Sequence, residues 1–389
     1  MTSHTGLDRY ATLGRTGLKV SPLALGTMTF GTEWGWGADK ATARQIFAAY
    51  VEAGGNFFDT ADLYTNGAAE TWLGEFIAEG NLRDRAVIAT KFGFNSAPGA
   101  VPANPNAGGN GRKNILRAIE GSLRRLGTDF IDLYILHAWD RLTPVEEVMR
   151  TLDDLVRAGK VRHVGLSNVP AWYAARAQAI AEFRGLEPIA ALQLEYSLAE
   201  RNIEHEFVPL GTAHGMGIMA WSPLASGLLS GKYRPSETGS EGSGRLAAMR
   251  QSGNPGFQKF TARNWAIVAE LEAVAREIGR SMAEVAMNWV ANRPGVASVI
   301  LGATTPGQIR ANLAALSFEI PPALAARLDA ASAPERPFPY SFFGAEIQGM
   351  IHGGATVAAK RRGYFPEIEI VGGGAGASGE SVVSEGGTP

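Results

Sequence analysis

The chain has 389 residues, 45% hydrophobic and 19% charged, enough apolar material for a large core and too balanced a mixture for disorder. A net charge of -2, from 36 basic and 38 acidic residues, gives no long-range attraction for nucleic acid or an anionic membrane. Cysteine is absent, which excludes disulfides, thiolate metal sites and cysteine nucleophiles.

The opening MTSHTGLDRY has no apolar leader core and no later run approaches a membrane span, so a cytoplasmic protein is expected. The first predicted element is a hairpin, YATLGRTGLKV at 10–20, turning between Gly14 and Gly17. Eight short apolar runs follow: LALGT (23–27), FFDT (57–60), VIATK (87–91), LYILH (133–137), VGLSN (164–168), LQLEY (192–196), IMAWS (218–222) and VILGA (299–303). Helical periodicity returns between them, as in DKATARQIFAAYVEAG, KNILRAIEGSLRRLG and TPVEEVMRTLDDLVRAG, with glycine stops at Gly54, Gly127 and Gly159. Near-continuous apolar runs suit strands covered on both faces. The alternation therefore predicts an α/β fold, a parallel (β/α)8 TIM barrel with the N-terminal β-hairpin across its bottom.

A long insertion, 223–298, separates the seventh run from the eighth. It holds the Gly/Ser-rich RPSETGSEGSGR and two helical stretches, ARNWAIVAELEAVAREIG and SMAEVAMNWVANRP, the second opened by a capping box of Ser281 and Glu284. An excursion from the end of a barrel strand belongs with function. Residues 1–332 are read as the barrel domain. Residues 333–389 are read as an extension, an aromatic, proline-rich loop and then a Gly/Ser-rich tail with little to bury. Within that tail GAGASG (374–379) matches a dinucleotide fingerprint, but no helix or second strand can follow it, and it is read as a decoy.

Catalytic groups of a parallel barrel gather at the carboxyl ends of its strands. The polar residues there are Asp59 and Tyr64, Lys91, His137, Ser167 and Asn168, Gln193 and Glu195, and Trp221 with Ser222. Each has a plain alternative: an aspartate caps a loop, a tyrosine fills a core, a lysine snorkels. Lys91 and His137, however, end the most apolar runs, where an unpartnered charge or imidazole would be costly, so these groups are expected to be one another's partners. An ammonium held by Asp59 beside a phenol lowers the phenol's pKa and makes Tyr64 a usable proton donor.

The segments NFFDTADLYTNGAAETWLGEF, VIATKFG, DLYILHAWD, VGLSN, LQLEYS and AWSPLASGLLSGKY resemble, in order, the signatures of the aldo-keto reductase superfamily, over about residues 10–330. The resemblance implies an NAD(P)H-dependent carbonyl reductase with catalytic Asp59, Tyr64, Lys91 and His137, taking hydride from nicotinamide C4 and a proton from Tyr64. No metal is required, and no ligand spacing for zinc occurs. It implies cofactor contacts at Gly26, Thr27 and Asp59, at Ser167, Asn168 and Gln193 for the carboxamide, and at Trp221 for stacking. Ser222, Pro223, Leu224, Gly227, Leu229 and Lys232 match the pyrophosphate loop, and Gly302, Thr304, Gln308 and Asn312 the adenosine end. Two details depart from the family: Ala311 replaces a glutamate, and Thr304 and Thr305 stand where a basic residue is common. The cation for a 2′-phosphate would then come from Arg245 or Arg310. NADP(H) is the preferred cofactor, with NAD(H) equally open if both arginines face solvent.

Phe30, Trp34, Phe92 and Trp139 are candidate substrate contacts, in an apolar pocket for an aldehyde or bulky ketone. Trp36, Phe94 and Tyr196, and the tail aromatics Phe338, Tyr340, Phe342 and Phe343, are further candidates around the mouth, with plain loop packing as the alternative. The Pro/Gly-rich stretch 95–112 reads as a lid or binding loop. Two other functions remain in view. A barrel glycoside hydrolase would use Asp59 and Glu195 as its carboxylate pair, against which Lys91 beside Asp59 argues. A redox-sensing regulatory subunit with little turnover is allowed by the resemblance to potassium-channel β-subunits. A short-chain dehydrogenase is excluded, since no Tyr-x-x-x-Lys occurs. A small-molecule carbonyl or alcohol is the expected partner, not nucleic acid or membrane.

Overall fold

The computed structural model describes residues 7–95, 102, 104–236, 245–249 and 255–356. Within the chain two compact units divide after Ala333. Strands β1 (Ala11–Thr12) and β2 (Lys19–Val20) pair antiparallel. Eight parallel strands follow: β3 (Leu23–Gly26), β4 (Phe57–Asp59), β5 (Val87–Phe92), β6 (Ile131–Leu136), β7 (Val161–Ser167), β8 (Ile189–Glu195), β9 (Gly217–Trp221) and β10 (Val296–Leu301). Each pairs with the next and β10 returns to β3, which closes the barrel. All eight apolar runs are thus barrel strands.

Helices α1 (Lys40–Glu52), α2 (Ala68–Glu79), α3 (Arg112–Leu126), α4 (Val145–Arg157), α5 (Ala171–Arg184) and α6 (Ile203–His214) alternate with the strands up to β9. The insertion after β9 supplies α7 (Arg245–Met249), α8 (Ala262–Ile278) and α9 (Met282–Ala291), and α10 (Pro306–Leu313) and α11 (Pro322–Ala331) follow β10. The Ser281–Glu284 capping box of α9 is formed in both directions. α3 stops at Gly127, whose φ of 61° is a left-handed value that costs glycine nothing. Among the described residues no helix is long and apolar enough to cross a membrane.

Side chains alternate along each strand, which divides the core into two layers. Ala24, Phe57, Val87, Ala89, Leu133, Ile135 and Met219 fill the barrel, joined from below by Leu13 and Val20 of the hairpin. Leu25, Phe58, Ile88, Phe92, Tyr134 and Leu166 point outward into the larger layer under the helices. Each such fully buried large side chain contributes about 1.5–3 kcal/mol. The hairpin closes the bottom because a side chain at Gly14 would strike the carbonyl oxygens of Gly215 and Ala190, at the start of β8 and β9. Arg15 N–H donates to the Gly215 carbonyl at 2.8 Å.

The second unit contains a short 3-10 turn at Tyr340–Phe343 and α12 (Ala345–Ile351). Phe338 meets Phe342 edge-on, and Tyr340 meets Phe343 likewise. The Gly/Ser-rich tail with GAGASG, most of the RPSETGSEGSGR loop and residues 96–101 of the proline-rich stretch lie outside the described residues.

Candidate active site

The alternation of β5 decides its chemistry. Val87, Ala89 and Lys91 face the barrel interior, whereas Ile88, Thr90 and Phe92 face the helices. Lys91 is therefore fully buried at the carboxyl end of the barrel. Its ammonium donates to Asp59 Oδ2 at 2.7 Å, to the Thr60 carbonyl at 2.7 Å and to the Tyr64 hydroxyl at 3.1 Å. Gln193 Nε2 donates to the other carboxylate oxygen of Asp59 at 2.7 Å. The Asp59 main chain is fixed as well, its carbonyl accepting from the Thr27 N–H at 2.8 Å and the Thr27 hydroxyl at 3.1 Å. His137 follows β6, and its ring meets Tyr64 edge-on with centroids 5.9 Å apart. Asp59, Tyr64, Lys91 and His137 therefore meet in one place, joined by Gln193, which was expected only at the cofactor.

Burial works against the Lys91 ammonium, but the Asp59 carboxylate overcomes it and holds the pKa above its ordinary value. Burial also pushes the Tyr64 phenol above its ordinary value, and Lys91 pulls it only part of the way back. This corrects the expectation of a lowered phenol pKa: desolvation outweighs the single ammonium. Burial and the Lys91 charge drive His137 well below the usual imidazole range, so the ring is neutral near pH 7. Its Nδ1 is buried without a hydrogen-bond partner among the described residues.

Backbone strain gathers at the same end. Thr65, Asn66, Asn168, Ser222, Ala225 and Ser226 all have positive φ without being glycine, and all follow the carboxyl end of β4, β7 or β9. Such strain persists where surrounding structure enforces it, commonly at functional sites. At Asn168 it turns the side chain so that Nδ2 donates to the His137 carbonyl and to Ser167 Oγ, each at 2.9 Å.

The other expected cofactor residues fall into three places. Gly26 is buried against Ile300 and Leu301 of β10. Trp221 ends β9 half-buried, its indole N–H without a hydrogen-bond partner among the described residues, and Ser222 to Lys232 wind directly after it, Ser222 Oγ accepting from the Ser226 N–H at 3.0 Å. Pro223 and Leu229 are buried in that segment, Leu224 is half-buried, and Gly227 has φ 96° with its open side toward Lys232. At the start of α10, Thr304 N–H donates to Gln308 Oε1 at 2.7 Å and Asn312 Nδ2 to the Gly302 carbonyl at 3.3 Å, which draws those four together. Arg245 lies over the rings of Trp36 and Phe257, 5.2 and 5.5 Å from their centroids, and its Nε is buried without a hydrogen-bond partner among the described residues. Burial and then Arg245 lower the pKa of Lys232, so two cations sit near each other. Arg310 is exposed on α10.

The aromatic candidates divide. Trp34 meets Tyr64 edge-on at 6.3 Å and lies tilted against Trp36 at 5.7 Å. Phe94 is 46% exposed and meets His137 edge-on at 4.8 Å. Trp139 is half-buried and packs edge-on against Trp172 at 5.5 Å, and its main-chain N–H donates to the Asn168 carbonyl at 3.3 Å. Phe30 and Phe92 must be corrected: neither is exposed at all, Phe30 packing on Phe76 of α2 and Phe92 on Tyr134 of β6. Both point into the helix layer, and in β5 the residue after an inward lysine has to point outward. Tyr196 is likewise buried, its hydroxyl donating to Glu204 at 2.6 Å. The sequence reading passed over the Thr60 carbonyl, Thr65 and Trp172. Backbone acceptors leave no residue-type signal, but the Trp at the first turn after β7 could have been found as an apolar residue out of helical phase. Glu195 pairs with Lys259 at 2.9 Å while Asp59 is held by Lys91 and Gln193, so the two carboxylates of the hydrolase reading are each engaged elsewhere.

Comparison with known proteins agrees with this geometry. A probable voltage-gated potassium channel subunit beta of Arabidopsis thaliana is 37% identical over 311 residues, 79% of this chain and 91% of that protein. A norsolorinic acid reductase of Emericella nidulans is 33% identical over 308 residues, 78% of this chain and 76% of that protein. An aryl-alcohol dehydrogenase [NADP(+)] of Phanerodontia chrysosporium is 32% identical over 337 residues, 84% of this chain and 86% of that protein. The model of the aldo/keto reductase family matches residues 22–333, from the first barrel strand to the end of the barrel unit. With a closed eight-stranded barrel and an ammonium lodged between a carboxylate and a phenol at its mouth, the chain belongs to the aldo/keto reductase family.

Proposed function

We propose that the chain is a nicotinamide-dependent oxidoreductase that reversibly reduces the carbonyl of an aryl aldehyde or bulky ketone, with Tyr64 as proton donor. The observation that carries this reading is the buried Lys91 ammonium, 2.7 Å from Asp59 and 3.1 Å from the Tyr64 hydroxyl. A reduced nicotinamide, when bound, supplies the hydride. Negative charge that grows on the carbonyl oxygen needs a donor already in place. Tyr64 gives that oxygen its proton, Lys91 stabilises the phenolate left behind, and Asp59 keeps Lys91 charged. His137, held neutral by burial, has an N–H to offer the same oxygen.

The residues present fit such a cofactor. Gln193 spends its amide N–H on Asp59 and keeps Oε1, which with Ser167 and Asn168 would receive the carboxamide. The indole N–H of Trp221 and the guanidinium Nε of Arg245, buried and without a partner among the described residues, could each donate to such a cofactor. Lys232 and Arg245, two cations in each other's field, suit a pyrophosphate. The cluster of Gly302, Thr304, Gln308 and Asn312 would hold the adenosine end. NADP(H) is favoured over NAD(H) by the NADP(+) in one relative's name. Aromatic substrates are favoured by the rings of Trp34 beside Tyr64 and Phe94 beside His137, and by the relatives named for aryl alcohols and norsolorinic acid.

The test pairs fluorescence titration with NADPH and NADH with turnover on a panel of aryl aldehydes and ketones. Tyr64→Phe should bind NADPH like the parent chain and lose about 10²- to 10⁴-fold in turnover. Binding without turnover on any carbonyl favours a regulatory subunit, the reading that similarity to a potassium channel subunit beta supports. Absence of nucleotide binding contradicts both.

A further inference from the structure

Tyr64 is followed by a stretch of chain that adopts an unfavourable shape. Thr65 has φ 45° and Asn66 φ 55°, left-handed values that asparagine tolerates and a β-branched residue avoids. Asn66 is exposed, whereas Thr65 is 2% exposed, so solvent does not hold it there. Two contacts do. The Thr65 hydroxyl donates to the Phe30 carbonyl at 2.7 Å, and its side chain fills the space that Gly31, with φ 114°, leaves by lacking a Cβ. Phe30 and Gly31 open the segment that carries Trp34. That segment is tied at its base, Gly31 N–H donating to the Ala38 carbonyl at 2.9 Å and Ala38 N–H to the Thr29 carbonyl at 2.8 Å. Trp34 in turn meets the Tyr64 ring edge-on.

We propose that Thr65 is a positioning residue, whose hydroxyl locks the Tyr64 phenol and the Trp34 segment into one unit. The segment that would meet a substrate ring thereby also fixes the group that would give the proton. This rests on the reading of Tyr64 as proton donor. Threonine is otherwise a poor choice at this φ, since glycine or asparagine would take it with less strain. The hydroxyl's bond to the Phe30 carbonyl offsets that cost. Removing the hydroxyl should let the phenol leave Lys91 without touching the nucleotide contacts at β7, β8, β9 and α10.

The experiment compares Thr65→Ser, Thr65→Val and Thr65→Gly with the parent chain. It reads kcat and KM for an aryl aldehyde, NADPH affinity by fluorescence, and the Tyr64 hydroxyl position by crystallography. Thr65→Val should lose about 10- to 100-fold in kcat, as expected for a misplacement near 1 Å, with NADPH affinity changed less than about twofold. Thr65→Ser should restore most of the rate. Thr65→Gly relieves the backbone strain, so it should fold at least as well as the parent and still show the loss, which guards against a Val variant that fails to fold. Full kcat in Thr65→Gly, or equal losses in Ser and Val, would overturn the proposal. If the parent chain reduces no carbonyl, the underlying functional reading fails instead. The crystals still decide this point: a Tyr64 hydroxyl displaced from Lys91 in Thr65→Val supports the lock, and an unmoved one refutes it.

Discussion

Asp59 and Asp62 lie three residues apart, are both buried, and have opposite surroundings. Asp59 faces the barrel mouth, where Lys91 and Gln193 each reach one of its oxygens at 2.7 Å. Asp62 has no hydrogen-bond partner on either oxygen among the described residues, and the nearby Tyr134 hydroxyl has none either. Burial, then the Glu70 carboxylate, pushes the Asp62 carboxyl up to about 7. In the helix layer the Arg125 guanidinium goes to Glu70 at 2.7 Å, where the Thr90 hydroxyl also donates at 2.6 Å. A buried carboxylate thus needs a cation brought against it, and without one its pKa climbs toward neutrality.

Four variants sharpen or break this contrast, in falling order of expected effect. Lys91→Met strips the ammonium from Asp59 and Tyr64. Turnover should fall about 10²- to 10⁴-fold, and the unpaired buried carboxylate should cost about 3–5 kcal/mol of stability. An unchanged urea midpoint would show that Asp59 is not held as described. Glu70→Gln loosens the outer cluster, and should cost about 1–3 kcal/mol with turnover nearly unchanged. Turnover collapsing as in Lys91→Met would erase the distinction between the two layers.

Asp62→Asn should stabilise, and the sign follows from the raised pKa. The folded carboxyl holds its proton up to about 7, while the unfolded one releases it near 3.8. Its contribution is therefore fully present below 3.8 and lost as pH rises through about 7. A permanently neutral Asn avoids that loss, so its advantage should grow across this window to the order of a few kcal/mol above it. Melting curves at several pH values read this directly, and an advantage that shrinks with rising pH would contradict it. His137 gives the smallest effect, with the opposite slope. Its folded pKa lies below 6.5, so the unfolded chain takes up the proton first and stability falls as pH drops below 6.5. His137→Gln should flatten that acid limb, and an unchanged limb would place the proton uptake elsewhere.

The barrel could be read from periodicity because runs such as AVIATK are apolar on both faces. The tetrad residues could be named because a lysine and a histidine ending such runs need partners. Composition alone does not say which side of a strand an aromatic serves, but alternation does: Phe92 follows the inward Lys91 and must face the helices, so placing it among the substrate contacts conflicts with the strand's own period. Asp59 is named by its place at a strand end and by the family resemblance, whereas the reason it differs from Asp62, the cation that folding delivers, does not show in residue type. The net direction of the Tyr64 pKa was missed for the same reason: the partner was foreseen, and the depth of burial was not.

The central claim is that hydride passes to a carbonyl carbon while Tyr64 protonates its oxygen. Single-turnover reduction of an aryl aldehyde with cofactor deuterated at nicotinamide C4, in the parent chain and in Tyr64→Phe, tests it most directly. The account predicts deuterium on the product's carbinol carbon in the parent and about 10²- to 10⁴-fold slower transfer in the variant. Transfer at an equal rate in Tyr64→Phe, or product bearing only solvent hydrogen at that carbon, would contradict it.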